Sequence, residues 1–441
     1  MSKIAVVGAG ASGLFTSGFL TKNGHDVIVF DKNEKVGKKL YITGKGRCNI
    51  TNLCSVDEYL KNVVRGDKFL RSAIYAFSSQ DCVDYFESLG LKTKVERGNR
   101  VFPLSDKSSD VIKVLQNVHC KGVKFCLNNE VTAIKKENDK FVLSTKQGKF
   151  EFDSVVVATG GVSYKSTGSD GAGYKFAKSF GHNIVPLVPA LCALKCKDKF
   201  IKDLQGVSLK NVKLKVNADG KKMEFFGEML FTDKGVSGPI VLTASSLINR
   251  AGLVSLAIDF KPALDEKTLD TRLLRDFDEN KNKDLKNVLC ELLPKAVADI
   301  FAGCVGLDEN KKIHDITKAD RQKLIDGLKN FKLTYGGLYD IDTGIVTSGG
   351  VDTKEVNPKT FESKLVKGLY FTGEVLDLDA VTGGFNLQIA WATAFSLAKN
   401  FEGWQFSLWF LIYYLYGGGY AVVVGKNILV VAIVNNASNI Y

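Results

Sequence analysis

"KIAVVGAGASGLFTSGFLTKNGHDVIVFDKN", residues 3–33, is the stretch on which the fold turns. The short β-branched run IAVVG reads as a buried strand, and Gly8, Gly10 and Gly13 punctuate a turn. Leu14, Phe15, Phe19 and Leu20 then recur at helical spacing up to Gly24, the kind of residue that closes a helix. DVIVFD reads as a second buried strand, and Asp31 falls 18 residues after Gly13. Strand, glycine turn, helix, strand and terminal acid at this spacing make the first unit of a nucleotide-binding sheet. In such a unit Gly8 makes the turn, Gly10 lets the backbone approach a pyrophosphate, and Gly13 lets helix and strand pack closely. Peptide N–H groups at the helix start receive negative charge, and Asp31 accepts hydrogen bonds from ribose hydroxyls. A carboxylate at position 31 repels a 2′-phosphate, which disfavours NADP in this turn and leaves FAD and NAD.

The rest of the chain bears on that choice. VGKKLYITGKGRCNITN, residues 36–52, brings Gly37, Gly44, Gly46, three lysines and Arg47 where a simple NAD domain would run into its next helix. Such a basic, glycine-rich loop suits a pyrophosphate and a flavin edge. DSVVVATGG, residues 153–161, is another buried strand that ends in Thr159 and Gly160, and GLYFTGEVLD, residues 368–377, is a third that ends in Gly373 and Glu374. TGGFNLQIAWATAFSLA, residues 382–398, reads as a helix opened by Gly383 and Gly384. Its N-terminus suits the flavin pyrimidine ring, where negative charge accumulates on reduction. Segments for one nucleotide at both ends of the chain are a signature of FAD.

With these residues in place, the sequence resembles the BaiN/RdsA-type NAD(P)/FAD-dependent oxidoreductases. The similar segments are GAGASG, KKLYITGKGRCNITN, RVFPLSDKSSDV, VATGGVSY, GEMLFTDKGVSGP, VTSGGV and GLYFTGEVLDLDAVTGGFNLQIAWATA, in family order from residue 1 to about 400. The resemblance implies FAD held by Ala11, Ser12, Asp31, Lys32, Lys39, Arg47, Asn49, Thr159, Gly160, Gly373, Glu374, Gly384 and Asn386, with Gly383 beside them and Cys48 packed next to the flavin. Val131 matches the strand whose backbone meets the adenine in related folds. Asp31 stands where the family more often has Glu, and Asp233 stands where His is frequent.

The expected architecture is α/β, a Rossmann-like FAD-binding domain of the three-layer, two-dinucleotide-binding type with an inserted β-rich domain and a helical cap. Residues 1–186 and 335–400 form the two parts of the FAD domain, 187–262 the β-rich insertion and 263–334 the cap. VSLKNVKLKVNADGKKMEFFGEMLF alternates in strand fashion around a turn at Ala218 to Gly220, and the alternation extends to about Leu247. LKNVLCELLPKAVADIFAG and DRQKLIDGLKNF show helical apolar spacing. Residues 401–441 form a hydrophobic tail outside the family pattern, with membrane contact, a hairpin turning at Gly425 to Asn427, or an out-of-frame translation as readings.

The 441 residues hold 60 Lys and Arg against 48 Asp and Glu, a net charge of +12. Basic and acidic residues are interspersed without long basic blocks, the pattern of a solvated surface, so no nucleic-acid partner is expected. Nine cysteines without framework spacing, and no leader before the first strand, point to a reducing cytoplasm. Cys192 and Cys196 have no further His or Cys beside them, so no metal site is expected.

The expected reaction passes hydride from NADH or NADPH through FAD to a small organic acceptor such as a conjugated carbonyl. GSDGAG, residues 168–173, has no strand before it, so a nicotinamide docks transiently rather than in a second glycine fingerprint. The competing readings are a flavin-dependent oxidase of a small amine or ketone, a tRNA-modifying flavoprotein, and a thiol enzyme using Cys48 and Cys54. His25, His119, His182 and His314 lie outside every matched motif and read as structural or surface residues, and Asp106 and Asp233 read as caps of turns. The sequence identifies no catalytic proton donor.

Overall fold

The computed structural model describes residues 1–401 and two further strands, Ala421–Gly425 and Ile428–Ala432. Those strands pair antiparallel with Gly425 opposite Ile428. The turn between them and the remaining tail, with its expected membrane contact, lie outside the described residues. Among the described residues no helix is long and apolar enough to cross a membrane.

Five strands carry the nucleotide-binding unit: β1 (Lys3–Val7), β2 (Asp26–Phe30), β3 (Lys124–Cys126), β4 (Ser154–Val157) and β5 (Leu369–Phe371). They form one parallel sheet in the order β5-β4-β1-β2-β3. Ile4, Val6, Val155, Val156 and Leu369 are fully buried, which is why these runs are continuously apolar rather than alternating. The chain reverses its direction of sheet growth between β1 and β4, and ligands of such sheets lie at the carboxyl ends of the strands at that reversal.

The helix α1 (Ala11–Lys22) crosses from β1 to β2, and α2 (Phe385–Lys399) packs beside it, with the Phe19 and Phe395 rings 5.2 Å apart and Asn23 Nδ2 donating to Ala398 O at 3.1 Å. Chain segments more than 370 residues apart thus share one layer. The opposite face is covered by an antiparallel sheet, Val131–Glu137, Lys140–Thr145 and Gly148–Phe152, through Phe150 and Phe152 against Phe30.

Between β4 and β5 the chain builds a second hydrophobic core. Seven antiparallel strands run in the spatial order Phe331–Leu333, Val254–Asp259, Ser208–Ala218, Lys221–Phe231, Gly235–Ser237, Leu194–Cys196 and Tyr335–Leu338. Asp219 (φ 49°) and Gly220 (φ 85°) make the tight turn of the central hairpin. The helices Glu266–Glu279, Lys295–Cys304 and Lys318–Lys329 close this core, where Phe301 stacks on Phe331 at 5.8 Å. One segment differs from the strand-like reading of the sequence: Pro239–Ile248 is a helix. Its apolar run fits a buried strand or a buried helix equally by periodicity, and Pro239 at the first helical position favours the helix. The two cores are joined by a ribbon in which Ile184–Ala190 pairs antiparallel with Val346–Val351.

Candidate active site

A cavity of about 540 Å³ opens at the carboxyl ends of β1, β2 and β4. It runs from Asp31 and Val131 past the Gly8–Ser12 turn to Leu191, Val346 and Thr382–Asn386. The turn is shaped by contacts that forbid any side chain. A Cβ on Gly8 would stand 2.5 Å from Ala158 O, and one on Gly13 would stand 1.9 Å from Gly8 O. At Gly10, by contrast, a Cβ would meet no atom within 4 Å and would project where the cavity runs. Gly8 and Gly13 therefore serve packing, while Gly10 leaves room for a ligand.

Asp31 lies at the end of β2 with its carboxylate held by two peptide groups. Oδ2 accepts from Ala9 N at 2.7 Å and Oδ1 from Asn33 N at 2.8 Å. A carboxylate has further lone-pair sites, so hydroxyl donors still find acceptors there. Lys32 also lines the cavity and pairs with Asp170 at 2.6 Å. Lys39 reaches Glu374 at 2.8 Å and Ser163 Oγ at 2.8 Å. Glu374 in turn accepts from the Thr347 peptide at 2.9 Å, so a loop after β2, a loop after β4 and the β5 end meet at one carboxylate.

Ala11, Ser12, Asn49, Thr159, Gly160, Gly383, Gly384 and Asn386 line the same cavity. Asn49 Oδ1 and Thr159 Oγ1 are buried without a hydrogen-bond partner, although such atoms are ordinarily paired. The Asn386 side chain fastens its own loop, accepting from Ala380 N at 3.0 Å and donating to Ala380 O at 2.8 Å. Gly373 (φ 74°) sits behind the lining, where a Cβ would stand 2.5 Å from Ser12 Oγ.

Four of the residues expected at the cofactor lie off the lining: Gly13 and Gly373, which pack behind it, and Arg47 and Cys48. Arg47 turns to Glu96 and Asp106, donating to Asp106 Oδ1 at 2.7 Å through Nε, and its guanidinium lies 4.1 Å from the Phe102 ring centre. Cys48 is fully buried with φ 59°. Burial pushes its thiol up to about 12 and that of Cys54 to about 11, so neither supplies a thiolate at neutral pH, which weighs against the thiol reading. Asp106 is occupied by Arg47 and Lys94, and Asp233 accepts from Tyr339 Oη at 3.2 Å. His119 is a core residue stacked 5.0 Å from Phe15, and burial drives its pKa down to about 3.

Ser163, Thr347, Val346, Leu378 and Thr382 belong to the site but were not singled out in the sequence. They lie in VATGGVSY, VTSGGV and GEVLDLDAVTGG, where the spaced glycines carry a signal that single hydroxyl and apolar residues beside them do not.

The glycine turn, the peptide-held acid, the open space at Gly10 and the unpaired Asn49 and Thr159 atoms fit a flavin dinucleotide, and with the parallel sheet they define an oxidoreductase of the Rossmann class. A model for the HI0933-like protein Rossmann domain matches residues 2–400, and the chain belongs to that family, the BaiN/RdsA-type flavoprotein oxidoreductases its motifs resemble. It is 32% identical over 407 residues to the ribosomal RNA dihydrouridine synthase of Haemophilus influenzae, covering 90% of this chain and 98% of the relative. It is also 32% identical over 405 residues to the 3-dehydro-bile acid delta(4,6)-reductase of Clostridium scindens, with the same coverage.

Proposed function

We propose that the cavity holds FAD and that the enzyme uses it to saturate a C=C bond conjugated with a carbonyl, drawing electrons from NADH or NADPH. Gly10, Ala11 and Ser12 take the pyrophosphate in a turn shaped by Gly8 and Gly13, with Asp31 and Lys32 at the ribose and Val131 at the adenine. Lys39, Asn49, Thr159, Gly160 and Glu374 hold the middle of the molecule with Gly373 packed behind them, and Gly383, Gly384 and Asn386 face the flavin pyrimidine ring. Arg47 and Cys48 support the loop from outside the lining. When bound, FAD supplies a hydride carrier; the protein binds, orients and excludes water.

The observation that carries this reading is the one cavity lined from Asp31 to Asn386, whose wall also includes apolar Leu191, Val346 and Leu378. Such a wall suits an apolar, conjugated acceptor. The names of the two relatives describe one chemistry: making dihydrouridine and reducing a dienone both saturate a C=C conjugated with a carbonyl. A second reading, in which the acceptor is a uracil ring within RNA, draws on the name of the Haemophilus relative and on the net charge of +12.

Chromatography of the extracted cofactor, followed by NADH and NADPH oxidation assays with 2-cyclohexen-1-one and with unmodified ribosomal RNA, tests both readings. The first expects FAD and turnover with the enone; turnover with RNA alone favours the second. Extracted FMN, or no flavin after reconstitution with FAD, overturns the cofactor assignment.

A further inference from the structure

The basic residues read in the sequence as an interspersed, solvated surface, yet folding gathers some of them at the cavity. Residues 92–107, KTKVERGNRVFPLSDK, form a hairpin in which Thr93–Glu96 pairs antiparallel with Arg100–Pro103, and Thr51–Asn52 adds a short third strand beside Arg100 and Val101. Asn52 fastens the hairpin to the cavity. Its Nδ2 donates to Gly98 O in the hairpin turn at 2.9 Å and to O of the lining residue Gly383 at 3.0 Å. Gly44, also on the lining, packs on the hairpin, since a Cβ there would stand 3.4 Å from Phe102 Cε1. The hairpin thus borders the cavity where Gly44 and Gly383 line it.

This border is strongly basic. The hairpin and the loop 43–49 carry seven cations against two acids, and both acids are engaged. Glu96 and Asp106 pair with Arg47, and Asp106 pairs also with Lys94. The other five cations, Lys45, Lys92, Arg97, Arg100 and Lys107, are exposed and have no acid partner among the described residues. Arg100 donates only to Arg97 O, at 3.0 Å, which holds the turn in shape. Lys45 carries the charged surface onto the lining itself. Two paired strands of four residues extend about 13 Å, more than one carboxylate or phosphate can span, so the charge is matched to a chain of anions. A partner for this enzyme must also present a C=C conjugated with a carbonyl to the cavity. An RNA strand meets both requirements: its phosphates recur along the chain, and its uracil carries the reducible bond.

We propose that the hairpin 92–107, continued by Lys45, is the docking surface for a single-stranded RNA segment at the border of the cavity. The proposal rests on the second reading above, in which the acceptor is a uracil ring within RNA, and it says where the rest of that molecule is held. The cations contact phosphates and fix the strand's position; the base is received by the cavity, not by the hairpin.

The test is fluorescence-polarisation binding of labelled oligouridylate to the flavin-loaded full chain over a range of salt concentrations, in the wild type and in the triple variant K92Q, R97Q, K107Q. These three side chains are exposed and lie outside the cofactor site, so flavin content and 2-cyclohexen-1-one turnover should be unchanged. The variant should bind RNA about tenfold or more weakly at low salt, and its slope of log affinity against log salt should be smaller by about 2, since each phosphate contact on a single strand contributes about 0.7. If the triple variant does not fold, R97Q alone should lower the slope by about 0.7. Equal affinity and slope in wild type and variant overturn the docking surface, as does wild-type protein that binds vesicles of phosphatidylglycerol more tightly than RNA. Binding that follows the expectation while NADH and NADPH yield no dihydrouridine sinks the uracil reading and leaves the docking surface standing. Wild-type protein that binds no RNA even at low salt sinks both.

Discussion

Gly8 and Gly220 both sit at positive φ in tight turns, yet they are glycine for different reasons. A Cβ on Gly8 would collide with the Ala158 backbone, while one on Gly220 meets nothing within 4 Å. At Gly220 only the backbone conformation matters; at Gly8 space matters as well. Buried carboxylates differ in the same way. Asp259 of the inserted sheet is satisfied on both oxygens, by Lys329 at 2.7 Å and the Lys261 peptide at 3.0 Å. Asp379, buried next to the lining residue Leu378, keeps one oxygen unpaired. On the cavity lining polar pairing stops short of completion at Asn49 and Thr159, where the proposed cofactor would be received. The inserted sheet leaves Asn217 Oδ1 unpaired but satisfies its buried acid.

Substitutions that probe one region should therefore leave the other's signature intact. Phe301→Ala removes a fully buried ring from the inserted core and should cost about 3–5 kcal/mol in urea unfolding while the bound-flavin spectrum is unchanged. A flavin spectrum lost in parallel would show that the two cores do not behave separately. Gly13→Ala drives a methyl into the Gly8 carbonyl and should cost about 3 kcal/mol or less in stability, yet abolish flavin retention on gel filtration. Retained flavin would mean that the turn relaxes without consequence.

Asp379 gives a pH signature of opposite sign to the usual carboxylate. Between its ordinary 3.8 and about 6 the unfolded group is ionised and the folded one protonated, so stability falls as pH rises through this window and then levels off. The wild type should lose up to about 3 kcal/mol across it relative to D379N, by the 1.36 kcal/mol that each pKa unit represents. Parallel stability curves for the two proteins would contradict this. The smallest effect is expected at Gly220→Ala, which strains the backbone without a clash and should cost about 1 kcal/mol in thermal unfolding, with flavin content unaffected.

The part of the site built from local chemistry was legible in the sequence. Gly8, Gly10, Gly13 and Asp31 lie within one strand–turn–helix–strand unit, where spacing alone dictates what each residue faces. Features set by long-range pairing were not legible. Arg47 meets partners 49 and 59 residues away, and nothing near GKGRCN in the sequence announces Glu96 or Asp106. Asp379 reads as one more acid in LDLDAV; its burial depends on pairing with Arg65 and on Ser348. The helix Pro239–Ile248 was hidden because an apolar run of that length fits either kind of element until its neighbours are known.

The measurement that bears hardest on this reading is an anaerobic absorption titration of the full chain, adding NADH, then NADPH, then 2-cyclohexen-1-one. The expected result is a bound flavin spectrum that one nicotinamide bleaches and one equivalent of enone restores. A protein that binds no flavin even after reconstitution with FAD, or whose bleached flavin recovers in air but not with the enone, would contradict it.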